Sequence, residues 1–283
     1  MLKAYSDSFF GCECSLDNSQ IVIFGAPFDS TTSFRPGTRF ASRVMRQESF
    51  GLESYSPYQD KDLYDYNIFD SGDLELCFGS AEAALADIEA REDYILSQKK
   101  LPLMIGGEHL VTLGAVRATA KHYPDLHIIH FDAHTDLREH YLGEPLSHAT
   151  VIRRCWDLLG DNRIYQFGIR SGEREEFYWA REHTTLNKFD FTGLDEAVSE
   201  LSGKPVYLTI DLDVLDPSVF PGTGTPEAGG VNFLELLDAI KRVSTLNIVA
   251  CDINELAPIY DQSGASTATA LKVLRELMLY LSK

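Results

Sequence analysis

Short apolar runs alternate along this chain with stretches whose apolar residues recur at helical spacing. Ile21 to Gly25, Tyr66 to Asp70, Leu101 to Ile105, His127 to Asp132, Arg163 to Gly168, Val206 to Asp211 and Asn247 to Asp252 each read as a strand. Helical patterns fall between most of them, over Ser80 to Gln98, Leu110 to Tyr123, Phe233 to Ser244 and from Ala265 onward. Strand alternating with helix predicts an α/β fold with a mainly parallel sheet covered on both faces. The segment RPGTRFASRVMRQ sets Arg35, Arg39, Arg43 and Arg46 at helical spacing and reads as a packing helix with solvated or intersubunit charges rather than an anion site. No repeat, low-complexity tract or linker stands out.

Three strings break the apolar pattern where a strand ends: GGEH at Gly106 to His109, FDAHTD at Phe131 to Asp136, and TIDLDVLDP at Thr209 to Pro217. Open α/β sheets place their sites at such strand ends. Asp211 and Asp213 follow a buried-type strand two positions apart, so they face one side. Two like charges at the edge of a low-dielectric core repel each other and lose hydration unless something positive sits between them. Asp132, His134 and Asp136 alternate in the same way and converge on one point if the chain stays roughly extended. His109, after paired glycines that permit close backbone approach, completes the set. Asp and His without cysteine favour a hard or borderline divalent ion such as manganese over a thiolate-type centre. Four carboxylates and two imidazoles exceed what one catalytic ion needs, so a pair of ions fits better. Asp216, before Pro217, reads instead as a turn residue.

These strings, together with FGAPFD near residue 24, Arg35 and Gly37, resemble those of the ureohydrolases, the arginases and agmatinases, across nearly the whole chain. DAHTD and DLDVLDP stand in the family's order, with GGEH upstream of both. The resemblance implies a three-layer α/β/α, arginase-like fold and two manganese ions per subunit, whose bridging hydroxide splits a guanidino group into urea and an amine. It assigns one ion to His109, Asp132, Asp136 and Asp211 and the other to Asp132, His134, Asp211 and Asp213. Asp136 would also orient the hydroxide, His148 in LSHAT would relay a proton, and Glu255 in DINELAP would receive the guanidinium. A homotrimer or homohexamer is the implied assembly.

Departures from the family bear on the substrate. Arg138 stands where arginases carry an Asn that helps bind the amino-acid carboxylate, whereas YLGEPLSHAT and PGTGTPEAGG resemble the agmatinase branch. Agmatine, giving putrescine and urea, is therefore the expected small-molecule substrate, with arginine, guanidinobutyrate and formiminoglutamate as competitors. Arg138 is either a contact for the substrate's tail or a residue salt-bridged to Glu139 or Glu144. Ala149 replaces a Gly common in relatives, beside His148.

Composition narrows the remaining choices. A chain of 283 residues, 44% hydrophobic, can bury a sizeable core, and motifs spread from residue 106 to 255 must meet, so residues 1–283 are expected to form one domain. A net charge of −18 disfavours nucleic acid. No apolar stretch approaches the ~20 residues of a membrane helix, and MLKAYSDSFF lacks a signal peptide's apolar run, so a cytoplasmic location is expected. Five scattered cysteines fit reduced thiols: Cys12 and Cys14 read as free rather than as a soft-metal pair, and Cys77, Cys155 and Cys251 as small core residues. His122, His127, His130 and His183 are expected in satisfied core or surface roles, with His140 the one to watch beside the His148 loop.

Overall fold

The computed structural model describes residues 8–282, so most of MLKAYSDSFF lies outside the described residues. Ten strands and eight α-helices alternate as expected. They are β1 (Ile21–Gly25), α1 (Ala41–Glu48), the small hairpin β2 (Tyr55–Ser56) and β3 (Lys61–Asp62), β4 (Ile68–Asp73), α2 (Ala81–Ser97), β5 (Leu101–Ile105), α3 (Val111–His122) and β6 (His127–Phe131). There follow α4 (Val151–Leu159), β7 (Ile164–Ile169), α5 (Arg174–His183), β8 (Thr185–Lys188), α6 (Leu194–Glu200), β9 (Pro205–Asp211), α7 (Phe233–Val243), β10 (Asn247–Asn254) and α8 (Ala265–Leu281). Among the described residues no helix is long and apolar enough to cross a membrane.

Eight strands form one sheet in the order β4-β1-β5-β10-β9-β6-β7-β8, with every neighbouring pair parallel. The side-chain period of two divides each strand between two cores. Ile129, Phe131, Leu208, Ile210, Cys251 and Ile253 pack with α1, α6, α7 and α8. Ile128, Tyr207, Ala250 and Met104 pack on the other face with α2, α3, α4 and α5. The result is the three-layer α/β/α arrangement, and buried strands of this kind read as near-continuous apolar runs.

Strand order places the site. The chain builds β1, β4 and β5 on one side and β6, β7 and β8 on the other, then inserts β9 and β10 between them. The carboxyl ends of β5, β10, β9 and β6 therefore stand side by side at the switch in direction, where such sheets bind ligands. Gly107 permits a close backbone approach there: a Cβ would collide with the Phe28 carbonyl, which accepts from Glu108 N at 2.8 Å.

Several expectations need correcting. The edge strand β8 and helices α4, α5 and α6 lie in stretches given no boundaries from sequence. Cys77 is exposed rather than a core residue, whereas Cys12, Cys155 and Cys251 are buried, and all five thiols are free. Arg46 is neither solvated nor available to a partner: it is buried, bonds both Asp70 oxygens at 2.7 and 2.9 Å and also pairs with Asp73. Arg39 pairs with Asp29 at 2.5 Å and Arg35 lies over the Tyr260 ring.

Candidate metal centre

All three motif strings end at the same rim. His109 follows β5, Asp132, His134 and Asp136 follow β6, and Asp211 ends β9 while Asp213 sits in the 3-10 turn Leu212–Val214 after it, not on the strand face expected from sequence. Nδ1 of His109 lies 3.0 Å from Asp132 Oδ2, 3.2 Å from Asp136 Oδ2 and 3.3 Å from Asp211 Oδ2. Nδ1 of His134 lies 3.0 Å from Asp213 Oδ2 and 3.4 Å from Asp132 Oδ1. Asp132 thus belongs to both halves of the cluster, one oxygen to each, and candidate metal-holding groups form around it on either side. The assumption of an extended chain fails at one point. Asp136 has φ 51°, a left-handed turn, and its carbonyl accepts from the amides of Ile152 and Arg153 at the start of α4. That turn brings its carboxylate back to His109.

The cluster demands positive charge. Burial, then Asp213 and Asp132, push the Asp211 carboxyl well above its usual range, and burial followed by Asp132 pushes Asp136 up to about 7. Asp132 lies well below its usual range: burial opposes ionisation, but His130, His109 and His134 outweigh it. Burial disfavours charge on His109, yet the three carboxylates around Nδ1 raise its pKa well above the ordinary value. The other nitrogen, Nε2, sits 2.9 Å from Thr209 Oγ1. Nδ1 itself is buried among three carboxylates without a hydrogen-bond partner of good geometry. One imidazole nitrogen and several carboxylate oxygens converging on a point form a donor set that a divalent cation fits.

Above the cluster opens a cavity of about 430 Å³ lined by His109, His134, Asp136, Arg138, His148 and Glu255 among others. Glu255 follows β10 in a left-handed conformation at φ 67°, and its Oε1 accepts from His109 N at 2.7 Å. Burial, then Asp213 and Glu108, raise its pKa well above normal, so the pocket favours a cationic guest beside it. His148 opens a 3-10 turn, donates its backbone N–H to Thr31 Oγ1 at 3.2 Å and meets the Tyr141 ring edge-on at 5.5 Å. Burial depresses its pKa to about 4, below the near-neutral value expected of a relay, so at neutral pH the ring is uncharged.

Other sequence candidates separate cleanly. Asp216 is a turn residue, accepting from Ser218 and from the amides of Gly229 and Gly230. Arg138 is salt-bridged, but to Glu173 at 3.0 Å and Glu176 at 3.6 Å rather than to Glu139 or Glu144, and it lies over the Tyr141 ring. His140 is exposed and is not among the cavity residues. His122 ends α3 and pairs with Asp93, and His183 stacks on Trp179.

Sequence reasoning passed over Glu108, Thr209, Asp252, Glu173 and Glu176, and it dismissed His130. Glu108 is fully buried and accepts from Thr31 N, Thr31 Oγ1 and Thr32 Oγ1, fixing the loop that carries His148's backbone partner. Its place inside GGEH, beside a ligand, was the available signal. His130 is buried as expected, yet its Nε2 is 2.7 Å from Asp132 Oδ2.

Fold and site together define a three-layer α/β/α protein with a His–carboxylate cluster suited to divalent metals at the carboxyl ends of its central strands. The arginase family profile matches residues 19–280. An agmatinase of Bacillus cereus is 50% identical over 98% of this chain and 97% of its own length. A guanidinobutyrase of Pseudomonas aeruginosa is 34% identical over 94% of this chain and 88% of its own. The crystal structure of the agmatine ureohydrolase of Thermoplasma volcanium superposes with a TM-score of 0.90 at 35% identity, covering 98% of this chain and 95% of that one. The chain belongs to the arginase family and is a ureohydrolase-type enzyme.

Proposed function

We propose that this enzyme, loaded with two manganese ions per subunit, hydrolyses the guanidino group of agmatine to putrescine and urea. The observation that carries the reading is the unpartnered Nδ1 of His109 facing Asp132, Asp136 and Asp211, with His134 and Asp213 completing a second set through Asp132. His109, Asp132, Asp136 and Asp211 would hold one ion, and Asp132, His134, Asp211 and Asp213 the other. When bound, such a pair supplies Lewis acidity and acidifies a water to near-neutral pH, making a nucleophile available.

The chain's own residues supply the rest. Glu255 has one oxygen committed to His109 N, and the carboxylate holds the planar guanidinium so that its carbon faces the cluster. Asp136, fixed by its left-handed turn, accepts a hydrogen bond from the attacking water and orients it. His148 is uncharged, buried and without a partner at Nδ1, so it can accept the proton that the attacking water gives up and deliver it to the amine nitrogen as the C–N bond breaks.

Substrate choice rests on two supports: the 50% identity to an agmatinase against 34% to a guanidinobutyrase, and the state of Arg138. With its guanidinium engaged by Glu173 and Glu176, Arg138 presents no free cation to a carboxylate tail, which favours agmatine's ammonium end over arginine, guanidinobutyrate or formiminoglutamate. Five free thiols fit a cytoplasmic location, and the family resemblance supports a homotrimer or homohexamer built from a single domain spanning residues 1–283. Urea release measured with agmatine, arginine and 4-guanidinobutyrate after manganese loading is the test. Agmatine should turn over fastest; faster release from either competitor overturns the substrate assignment.

A further inference from the structure

One tier below the rim, the α2–α5 face of the sheet is polar where apolar side chains are the rule. Asp252 on β10, Thr209 on β9, His130 on β6 and Gln166 on β7 are adjacent in register: Asp252 pairs with Thr209, Thr209 with His130, and His130 with Gln166. All four are fully buried. Thr209 reaches up to His109, and His130 reaches up to Asp132.

The hydrogen bonds around His130 determine where its proton sits. Gln166 Nε2 donates to the Thr135 carbonyl at 2.9 Å, and Gln166 Oε1 accepts from Thr184 Oγ1 at 3.2 Å. A carbonyl only accepts, so the amide cannot be turned over without setting two oxygens against each other. The same Nε2 lies 3.0 Å from His130 Nδ1, which must therefore be the unprotonated nitrogen. The ring's single proton is on Nε2 and is donated to Asp132 Oδ2 at 2.7 Å. Neither ring nitrogen is free to bind an ion, although His130 lies within the same cluster of potential ligand atoms as His109. The other Asp132 oxygen, Oδ1, accepts from His134 N at 2.5 Å, so each oxygen of the shared carboxylate already holds one protein donor.

We propose that His130 is a positioning residue for the metal centre: its Nε2–H, held in one tautomer by Gln166, fixes the plane of the Asp132 carboxylate and so decides which lone pair each cation meets. The role rests on the metal reading above. It explains an imidazole on β6 where the strand's apolar pattern calls for a residue like Ile128. It also explains why a buried glutamine stands next to it on β7.

The test combines metal titration with nitrogen NMR on the full chain. Manganese affinity, read by competition with a chelating dye, should fall about 10- to 100-fold in His130→Leu, the usual cost of removing a ligand's hydrogen-bond partner. His130→Gln, which keeps an amide donor, should recover part of that loss, and Gln166→Leu should fall between wild type and His130→Leu. A folded His130→Leu that binds manganese as tightly as wild type overturns the proposal. Should that variant not fold, 15N shifts of His130 in wild type loaded with diamagnetic zinc decide it: the Nε2–H tautomer supports the role and the Nδ1–H tautomer overturns it. Wild type that takes up no divalent ion sinks the metal reading itself, an outcome distinct from equal loading of wild type and variant.

Discussion

Along β9 the side chains alternate between Leu208 and Ile210 on one face of the sheet and Tyr207 and Thr209 on the other, and neighbouring strands repeat the contrast. The face under α1, α6, α7 and α8 carries Ile129, Phe131, Leu208, Ile210, Cys251 and Ile253 at this level. The opposite face carries hydroxyls, an imidazole, an amide and the Asp252 carboxylate, which accepts from Thr112 at 2.8 Å, Tyr207 at 2.6 Å and Asn254 at 2.7 Å. Burying such groups is unfavourable unless each finds a partner, and apolar side chains of the same size would pack there at no such risk. The difference teaches that the two faces divide labour at this level: one packs apolar side chains, while the other gives up some cohesion for polar groups beneath the proposed ligands.

Mutations can break this contrast most forcefully at the rim. Asp211→Ala removes a ligand proposed to be shared by both ions, and urea release should fall by on the order of 10³ or more with reduced metal content. Full metal occupancy in that variant would rule out the shared assignment. His148 reaches the cavity from a loop rather than from the sheet, so His148→Asn should slow turnover by about 10²–10⁴ while metal content stays at the wild-type level. Loss of metal there would mean the loop also holds the ions.

Changes within the two faces then sharpen the contrast. Leu208→Ala on the apolar face should cost about 2–5 kcal/mol of stability, seen as a lower Tm, with urea release per folded molecule unchanged. Thr209→Val on the polar face keeps the shape and removes the hydroxyl that meets His109 Nε2. Manganese should bind about tenfold more weakly, with a smaller change in Tm than Leu208→Ala produces. Reversed outcomes, with Thr209→Val costing only stability and Leu208→Ala costing metal, would abolish the division of labour.

The central strands were readable because a strand buried on both faces leaves a bare apolar run, as in Leu101–Ile105 and Pro205–Asp211. The edge strand Thr185–Lys188 escaped because it is polar and only partly buried, with little in its pattern to separate it from a loop. Site residues showed up where charge interrupts such a run, as at Asp132, Asp211 and Asp213. The turn at Asp136 did not, since only its backbone contact with α4, which begins at Val151, reveals it. Arg138 found its carboxylates on α5 and the residue before it, about 35 positions away and beyond the reach of neighbour-based reasoning. His130 and Asp252 were visible as polar residues in apolar strands, but their meaning depends on sheet register, which pairs segments far apart in the chain.

The insertion of β9 and β10 between β5 and β6 also has a temporal side. While the polypeptide emerges from the ribosome, the segments ending in His109 and Asp132 are made early but have nothing to lie against across the gap that two later strands will fill. A nascent chain halted before residue 205 already holds His109, Asp132, His134 and Asp136 but lacks Asp211 and Asp213, two of the six proposed ion-binding groups. On the two-ion reading, a complete nest for the cofactor exists only once the ninth strand and the turn after it have been made.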